Sequence, residues 1–222
     1  MKICCFTSRA GKSMIPEPFM KSSRSGFSLV ELAVVVMIFL IVAAIAVPAV
    51  RRTTSAYQLD SSGHNVARML QQVRSAAVKN NTPYYALYNS VAGPSEVVAV
   101  PAIRFNAANS TPSAYNSNVD PTTAVAANIT FLGGGAPPAH AQLETAMGVP
   151  AGAAQVGGVI AFNSRGLPCS MNGATPNAWI CQGPVGFEWF MQHGMTGDWE
   201  AVTVSPAGRI KAWRMGGNGV WQ

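Results

Sequence analysis

The segment from Phe27 to Val50 is a long apolar run that is interrupted by a single carboxylate, Glu31. As an α-helix it would measure about 36 Å, which is enough to cross a hydrocarbon core of about 30 Å. A charged carboxylate at the centre of a bilayer costs roughly 2.5–3.5 kcal/mol. The run therefore predicts a transmembrane helix at 27–50, with an acid that needs a counter-charge.

Basic residues are concentrated before this run. Five of them, set against the single acid Glu17, precede Gly26: Lys2, Arg9, Lys12, Lys21 and Arg24. The formal charge of +6 for the whole chain therefore falls to +2 beyond Gly26. This asymmetry predicts a cytoplasmic N-terminus and an exported C-terminal region. It also weakens the inference that the basic composition reflects a nucleic-acid partner.

Two interpretations of the run leave part of it unexplained. A cleaved secretory signal would use Ala44-Ile45-Ala46 as its cleavage site and would leave Val47 as the new N-terminus. The run is longer than the usual signal core of about 7–15 residues and contains an acid, which disfavours this interpretation. A plain membrane anchor fits the length but gives Glu31 no role.

A third interpretation accounts for the acid. The stretch "GFSLVE", residues 26–31, resembles the processing site of type IV prepilins and type II secretion pseudopilins. The resemblance implies that a prepilin peptidase removes residues 1–26 by cutting after Gly26 and that the new N-terminal residue, Phe27, is methylated. It also implies that Glu31 pairs with the N-terminal ammonium of a neighbouring subunit during assembly. A buried acid is tolerated when it is paired, so the resemblance supplies the missing counter-charge.

The pattern after Pro48 predicts that the helix continues over 51–81 as an amphipathic helix. Apolar residues at steps of three and four form one stripe: Val66, Met69, Leu70, Val73, Ala76 and Ala77. Polar residues fill much of the other face: Arg68, Gln71, Gln72, Arg74 and Ser75. The helix is predicted to end near Asn80-Asn81, before Pro83.

Region 82–222 is predicted to be a periplasmic, β-rich domain. Strand-like segments separated by turn signals lie at 83–89, 96–105, 128–132, 156–168 and 183–192. Residues 199–215 predict a hairpin that turns at Ser205-Pro206-Ala207-Gly208. The interval 106–155 is dominated by Ala, Gly, Pro, Asn, Ser and Thr, and predicts a partly irregular insertion with one short strand.

The order of these elements resembles the GspH/FimT family. Besides the long helix, the resemblance rests on an "F-x-x-x-G" strand end at Phe162–Gly166 and a "V-x-P-x-G-R-I" hairpin at Val204–Ile210. It covers residues 21–80 and 156–215 but not the insertion. The family contains the H-type minor pseudopilin of type II secretion and a class of minor type IV pilins. The implied fold is α+β and pilin-like: a long N-terminal α-helix, transmembrane in its first half, packed on a C-terminal antiparallel β-sheet domain.

The function that this resemblance implies is structural. We expect a single-pass inner-membrane protein that serves as a minor pseudopilin of the type II secretion system. The alternative is a minor type IV pilin in pilus priming, adhesion or DNA uptake. The implied partners are the prepilin peptidase and methyltransferase, other major and minor pilins or pseudopilins, and an inner-membrane assembly platform. We expect no cofactor and no metal.

Two cysteines lie in the exported region. Cys169 and Cys181 flank a turn-rich stretch, and such a pair in an exported domain favours a disulfide worth on the order of 3 kcal/mol. Free buried thiols are the alternative. A zinc site is disfavoured because neither His nor Cys supplies two further ligands nearby.

Signals for an enzyme are absent from the sequence. His64, His140 and His193 are far apart, and no nucleophile elbow, phosphate loop or dinucleotide motif occurs. We interpret the histidines as ordinary surface or satisfied residues. Asp198 and Glu200 flank a tryptophan and are interpreted as a charged strand rim rather than a calcium site.

The segment "GRIKAWR", Gly208 to Arg214, carries the strongest local cation cluster of the exported region. Alternation along a strand would place Arg209, Lys211 and Trp213 on one face and Arg214 on the other. Some minor pilins of the FimT kind bind DNA through basic residues near the C-terminus, and this segment resembles that arrangement. DNA contact by Arg209, Lys211 and Arg214 is therefore a hypothesis, and a solvated edge strand that resists aggregation is the alternative.

Overall fold

The computed structural model describes residues 26–89, 96–101, 120–132, 139–172 and 180–222. The chain divides into two compact units, Met1–Ile45 and Ala46–Gln222. The described part of the first unit is the start of a long helix. The second unit contains the rest of that helix, two β-sheets and a short second helix.

The long helix, α1, spans Leu29–Lys79 and passes through Pro48 without interruption. Proline removes one backbone donor and normally disfavours a helix interior. The hydroxyls of Thr53, Thr54 and Ser55 in the following turn donate to the carbonyl oxygens four residues earlier. Because α1 is continuous, the predicted segments 27–50 and 51–81 are parts of one helix.

The amphipathic half of α1 buries the stripe that the sequence predicts. Val66, Leu70, Val73 and Ala77 are fully buried, and Met69 nearly so, whereas Ala76 lies at the edge of the stripe. The buried face also contains residues that the sequence analysis did not include: Ser55, Leu59, Ser62, Gly63 and Ala67.

The C-terminus of α1 lies where the sequence predicts it. Asn81 adopts a left-handed conformation with φ 47°. Its N–H donates to the Val78 carbonyl oxygen, and the Thr82 N–H donates to the Ala77 carbonyl oxygen. These bonds form a Schellman motif, which satisfies the last carbonyl groups of the helix.

The first sheet has the strand order β3-β2-β1-β6-β7-β8. Its strands are β1 (Tyr84–Asn89), β2 (Glu96–Pro101), β3 (Thr122–Ala124), β6 (Ile160–Phe162), β7 (Pro168–Asn172) and β8 (Ile180–Pro184). All of these neighbours pair antiparallel. Successive residues of these strands point to opposite faces of the sheet, and apolar residues on each face are buried in a separate core cluster. Both faces of the sheet are therefore buried.

The second sheet has the strand order β11-β10-β9-β4. Its strands are β4 (Ile129–Leu132), β9 (Phe187–His193), β10 (Trp199–Val204) and β11 (Ile210–Arg214). The two-residue strand β5 (Gln155–Val156) adds a parallel pairing to β9. The predicted hairpin is confirmed, because β10 and β11 pair with Val204 opposite Ile210.

The main core lies where α1 packs against both sheets. It joins the α1 stripe to inward-facing residues of β1, β2, β6, β9 and β10, including Phe162, Phe187 and Trp189. The opposite face of the second sheet is covered by helix α2 (Ala141–Met147), whose Leu143 packs with Phe190 and Ala201. The predicted α+β, pilin-like fold is confirmed.

The interval 106–155 is less irregular than the sequence predicts. Its described part contains β3, the predicted β4 and the whole of α2, whereas residues 106–119 and 133–138 lie outside the described residues. The sequence analysis predicted neither α2 nor the pairing of β7 with β8. Helix α2 is short, and its Leu143 packs against Phe190 and Ala201, which lie far along the chain.

Candidate functional site

The apolar start of α1 is exposed with respect to the described residues. Every side chain from Gly26 to Ile45 is exposed, and the large apolar ones are between 43% (Val35) and 83% (Leu29) exposed. The helix is long and apolar enough to cross a membrane by length and composition. Exposed apolar area on this scale is unfavourable in water and indicates an apolar surrounding.

Gly26, Phe27 and Glu31 lie at the beginning of this exposed segment. A Cβ added to Gly26 would meet no atom within 4 Å, so packing among the described residues gives no reason for a glycine there. Phe27 is 81% exposed. Glu31 lies in the first turn of α1, where the positive end of the helix dipole favours a carboxylate. Within the part of the chain that the structure describes, its carboxylate has no hydrogen-bond or ion-pair partner.

The cations proposed to contact DNA lie at or beside β11, an edge strand of the second sheet as described. Arg209, just before the strand, is exposed. The Lys211 ammonium lies 3.3 Å from the centroid of the Trp213 ring, and the Trp213 Nε1–H donates to Thr203 Oγ1 at 2.9 Å. Lys211 is thus engaged in a cation–π contact on its own strand.

Arg214 lies in different surroundings from Arg209 and Lys211. It lines a groove together with Arg52, Asp60 and Asp198, so two carboxylates share its neighbourhood. Arg209, Lys211 and Trp213 line a separate small depression near the end of α2. Arg209, Lys211 and Trp213 therefore lie on one face, as the sequence predicts, and Arg214 lies apart from them.

Glu200 is buried, which corrects its interpretation as part of a charged strand rim. Its side chain on β10 points at Gly63 of α1, where any Cβ would overlap the Glu200 carboxylate. Asp198 remains exposed. Burial, with a smaller contribution from Asp60, raises the pKa of Glu200 to about 9, although Arg214 acts in the opposite direction. Glu200 Oε2 has no hydrogen-bond partner among the described residues.

A second group of ionisable side chains lies between α2 and β9. His140, Glu144 and Glu188 each place one ligand-type atom so that the three atoms lie within 4.8 Å of one another. His140 Nδ1 is 3.8 Å from Glu144 Oε2 and 3.5 Å from Glu188 Oε2. Both carboxylates are buried, whereas the His140 side chain is 31% exposed.

The two carboxylates of this group differ in their partners. Both Glu144 oxygens accept hydrogen bonds from the Gly152 N–H, and Oε1 also accepts one from the Ala154 N–H. These bonds lower the pKa of Glu144 in spite of its burial. Neither Glu188 oxygen has a hydrogen-bond partner among the described residues. Burial, and then the nearby Glu144 charge, raise the pKa of Glu188 to about 7.

The sequence analysis did not identify this group and treated His140 as an ordinary loop histidine. The spacing of four residues between His140 and Glu144 on a helical turn is visible in the sequence. Glu188 comes from a strand more than forty positions later, so its approach is a consequence of the fold.

Cys169 and Cys181 lie on neighbouring strands. Cys169 is buried on β7, and β8, which carries Cys181, pairs with β7 so that Cys181 is opposite Met171. Cys169 is disulfide-bonded, and the residue opposite it on the neighbouring strand in the register is Pro184. That Cys181 is the cysteine bonded to it stays a prediction.

Residues 21–47 match the family described as the prokaryotic N-terminal methylation motif. The motif indicates a type IV pilin-like protein. The matched interval contains Gly26, Phe27 and Glu31 together with most of the exposed apolar segment, and it implies processing by a prepilin peptidase and assembly with other pilins. No curated protein and no solved structure matches the chain. Because the match ends at residue 47, it does not separate the GspH/FimT family from other pilin-like proteins.

Proposed function

We propose that this pilin-like protein is a minor pseudopilin of a type II secretion system, a structural subunit of the periplasmic pseudopilus that drives protein export across the outer membrane. The observation that carries the proposal is the methylation motif at residues 21–47 on an exposed, membrane-length helix. The resemblance of the C-terminal hairpin to the GspH/FimT family supports the assignment to the minor subunits.

The proposed mechanism begins in the inner membrane. The peptidase removes residues 1–26 on the cytoplasmic side and methylates Phe27, while the apolar half of α1 holds the subunit in the bilayer and its C-terminal domain lies in the periplasm. During assembly the apolar half leaves lipid for a bundle of equivalent helices. Apolar surface contributes about 25 cal/mol per Å² when it is removed from water, so a helix that leaves lipid must remain covered by neighbours.

In this mechanism Glu31 determines the axial position of one subunit relative to its neighbour. Its carboxylate would meet the N-terminal ammonium of an adjacent subunit inside an apolar bundle, where an unpaired charge is costly. A subunit displaced by one helical turn would leave both charges unpaired, so the pair favours one axial position. The proposal thus connects the exposed, unpartnered acid of the described structure with assembly.

The proposal is tested by mass and by fibre incorporation. Intact mass of the full chain extracted in detergent should show a protein that begins at methylated Phe27. Glu31→Gln should be processed normally but be absent from sheared fibres, whereas Asp198→Asn, at an exposed acid of the domain, should be incorporated normally. A protein that begins at Val47 would support the secretory-signal interpretation, and normal incorporation of Glu31→Gln would contradict the proposed pairing.

A minor type IV pilin that binds DNA is the second candidate, and the exposed Arg209 beside Lys211 is the observation that favours it. The cation–π contact of Lys211 and the acidic neighbours of Arg214 weaken the cluster as a phosphate-binding surface. If DNA binding occurs, it should decrease steeply with salt, and Arg209→Ala with Lys211→Ala should abolish a gel shift. Arg68→Ala on α1 is the matched control. Absence of a salt-sensitive shift for the unmutated protein would eliminate this candidate.

A further inference from the structure

The group formed by His140, Glu144 and Glu188 is distinguished by unsatisfied polar atoms in a buried position. Glu188 is fully buried, both of its oxygens lack a hydrogen-bond partner among the described residues, and so does His140 Nδ1. Buried polar atoms without partners are destabilising, and a structure retains them when a water or an ion satisfies them. Glu188 Oε2 and His140 Nδ1 lie 3.5 Å apart, so one ion between them would satisfy both atoms.

The distances fit a small divalent ion. For metal–ligand bonds of about 2.0–2.2 Å in a tetrahedron, neighbouring ligand atoms lie about 3.3–3.6 Å apart. His140 Nδ1 lies 3.5 Å from Glu188 Oε2 and 3.8 Å from Glu144 Oε2. Both distances to the imidazole are therefore within a few tenths of an ångström of this range, and the two carboxylate oxygens, which lie within 4.8 Å of each other, would close around the ion when it binds.

The ligand types favour zinc over calcium or magnesium. One imidazole nitrogen with two carboxylates is a ligand set that suits Zn²⁺, whereas Ca²⁺ takes six to eight oxygen ligands and Mg²⁺ retains several waters. Three protein ligands leave a fourth position, which a water can reach because the His140 side chain is partly exposed.

The surroundings orient one of the ligands. The Glu144 carboxylate is fixed by the backbone N–H groups of Gly152 and Ala154, and its Oε2 accepts only one of these bonds, at 3.0 Å, which leaves a lone pair for an ion. Such outer contacts hold a ligating carboxylate in place. His140 has no side-chain bond to the N-terminus of α2, so its imidazole is not required there.

We propose that His140, Glu144 and Glu188 form a zinc site that fastens α2 and the following loop to β9 on the outer face of the second sheet. The ion is structural and independent of the membrane helix. It would stabilise the face on which Leu143 and Phe190 pack. This inference does not depend on which pilin-like assembly the protein joins.

Zinc binding is tested on the full chain in detergent after treatment with a chelator. Titration should show one saturable Zn²⁺ per chain and a rise of several degrees in the melting temperature. Millimolar Ca²⁺ or Mg²⁺ should neither produce that rise nor displace the zinc. Co²⁺ should bind at the same stoichiometry with visible absorption bands typical of four-coordinate nitrogen and oxygen ligation.

Substitutions at the proposed ligands test where the ion binds. Glu188→Gln and His140→Ala should each lower the Zn²⁺ affinity at least tenfold and remove the thermal shift. His64→Ala is the matched control, because His64 forms a comparable pair with Asp60 at 3.9 Å but both side chains are largely exposed. Its binding should equal that of the unmutated protein. The metal-free variants should retain the circular dichroism of the unmutated protein, since Gln is isosteric with a protonated Glu and His140 is partly exposed.

Several outcomes would overturn the proposal. No zinc binding below millimolar concentration would mean that His140 and Glu188 form an ion pair only. Zinc binding that survives both Glu188→Gln and His140→Ala, or that disappears in His64→Ala, would place the ion elsewhere. Equal binding of Ca²⁺ would contradict the ligand argument. If Glu188→Gln fails to fold, the zinc affinity of His140→Ala by itself decides between the outcomes. His140 is partly exposed, so its removal eliminates a ligand without disturbing the core.

Discussion

The two units of this protein differ in the burial and the surroundings of their acidic residues. In the N-terminal unit, Glu31 lies on an exposed apolar helix and has no partner within the described residues. In the domain, Glu144 and Glu200 are buried and their surroundings come from the same chain: backbone N–H groups for the former, and the gap above Gly63 for the latter.

The difference indicates where each region finds its stabilising contacts. The domain buries its core and the acids Glu144, Glu188 and Glu200 within the same chain, so substitutions at buried positions should change stability. The apolar helix exposes both its acid and its apolar surface, so its substitutions should change interactions with other molecules: peptidase, lipid and neighbouring subunits. The variants below are therefore assessed by the stability of the domain, by the processing of the N-terminus, or by both.

The largest expected effect is on cleavage. Gly26→Val should leave the leader attached, because a branched side chain next to the scissile bond would obstruct the proposed peptidase. The domain's melting temperature should be unchanged. Ala46→Leu, which would block a secretory signal cleavage, should leave the cleavage position after Gly26 unchanged, so that the mature mass rises only by the difference between Leu and Ala. Normal processing of Gly26→Val, or failure of Ala46→Leu, in an intact-mass measurement would contradict the prediction.

The largest expected effect on stability comes from Gly63→Ala. The added methyl group would overlap the Glu200 carboxylate and force it out of its buried position, and Ala would offset part of this cost through its higher helix propensity. We expect a net loss of about 1–3 kcal/mol in the free energy of unfolding with normal cleavage. Gly217→Ala, where the new methyl would meet nothing within 4 Å, should change it by less than about 0.5 kcal/mol. Adding Glu200→Ala to Gly63→Ala should recover part of the loss. Equal effects of the two glycine variants would disprove the contact.

Glu200 should also make stability depend on pH. Its pKa is about 9 in the folded domain and near the model-peptide value of 4.5 when unfolded, so between these values the folded state holds the extra proton. Stability contributed by this group is therefore present at low pH and decreases as pH rises through this window. Asp60, Arg214 and the backbone at Gly63 are its surroundings.

The measurement compares Glu200→Gln with the unmutated protein. Between pH 5 and pH 8 the unmutated protein should lose about 1–3 kcal/mol relative to this variant, in denaturant unfolding at each pH. Glu188, whose pKa is also raised, is present in both proteins, so the difference isolates Glu200. Asp198→Asn should retain the pH dependence of the unmutated protein. Identical slopes for Glu200→Gln and the unmutated protein would refute the prediction.

The smallest expected effect tests a polar contact of α1. Arg74 was predicted to lie on the solvent face, but its Nη1–H donates to the Gly208 carbonyl oxygen at 2.9 Å, in the turn between β10 and β11. Arg74→Ala should lower the free energy of unfolding by about 1–2 kcal/mol, as measured by denaturant unfolding. Arg68→Ala removes a bond to Asn65 on the same helix, the one side-chain hydrogen bond of Arg68 among the described residues, and should change this free energy by less than about 0.5 kcal/mol. A larger effect for Arg68→Ala would contradict the assigned role.

Local patterns account for the features that were predicted correctly. The α1 stripe follows from the 3.6-residue period, its end from two asparagines before Pro83, and the C-terminal hairpin from alternation around Ser205 to Gly208. Helix α2 was missed because seven residues in a Gly- and Pro-rich context carry little helical signal. Its stability comes from Leu143 against Phe190 and from Glu144 with the loop that follows.

By itself the sequence determined the membrane-length helix, the processing motif and the unpartnered acid, because each depends on residues adjacent along the chain. Tertiary structure alone decided which acids are buried, which cations are engaged, and that His140 and Glu188 meet. These depend on residues tens of positions apart, and their burial or pairing follows from the packing of α1 and α2 on the sheets, which has no local signature.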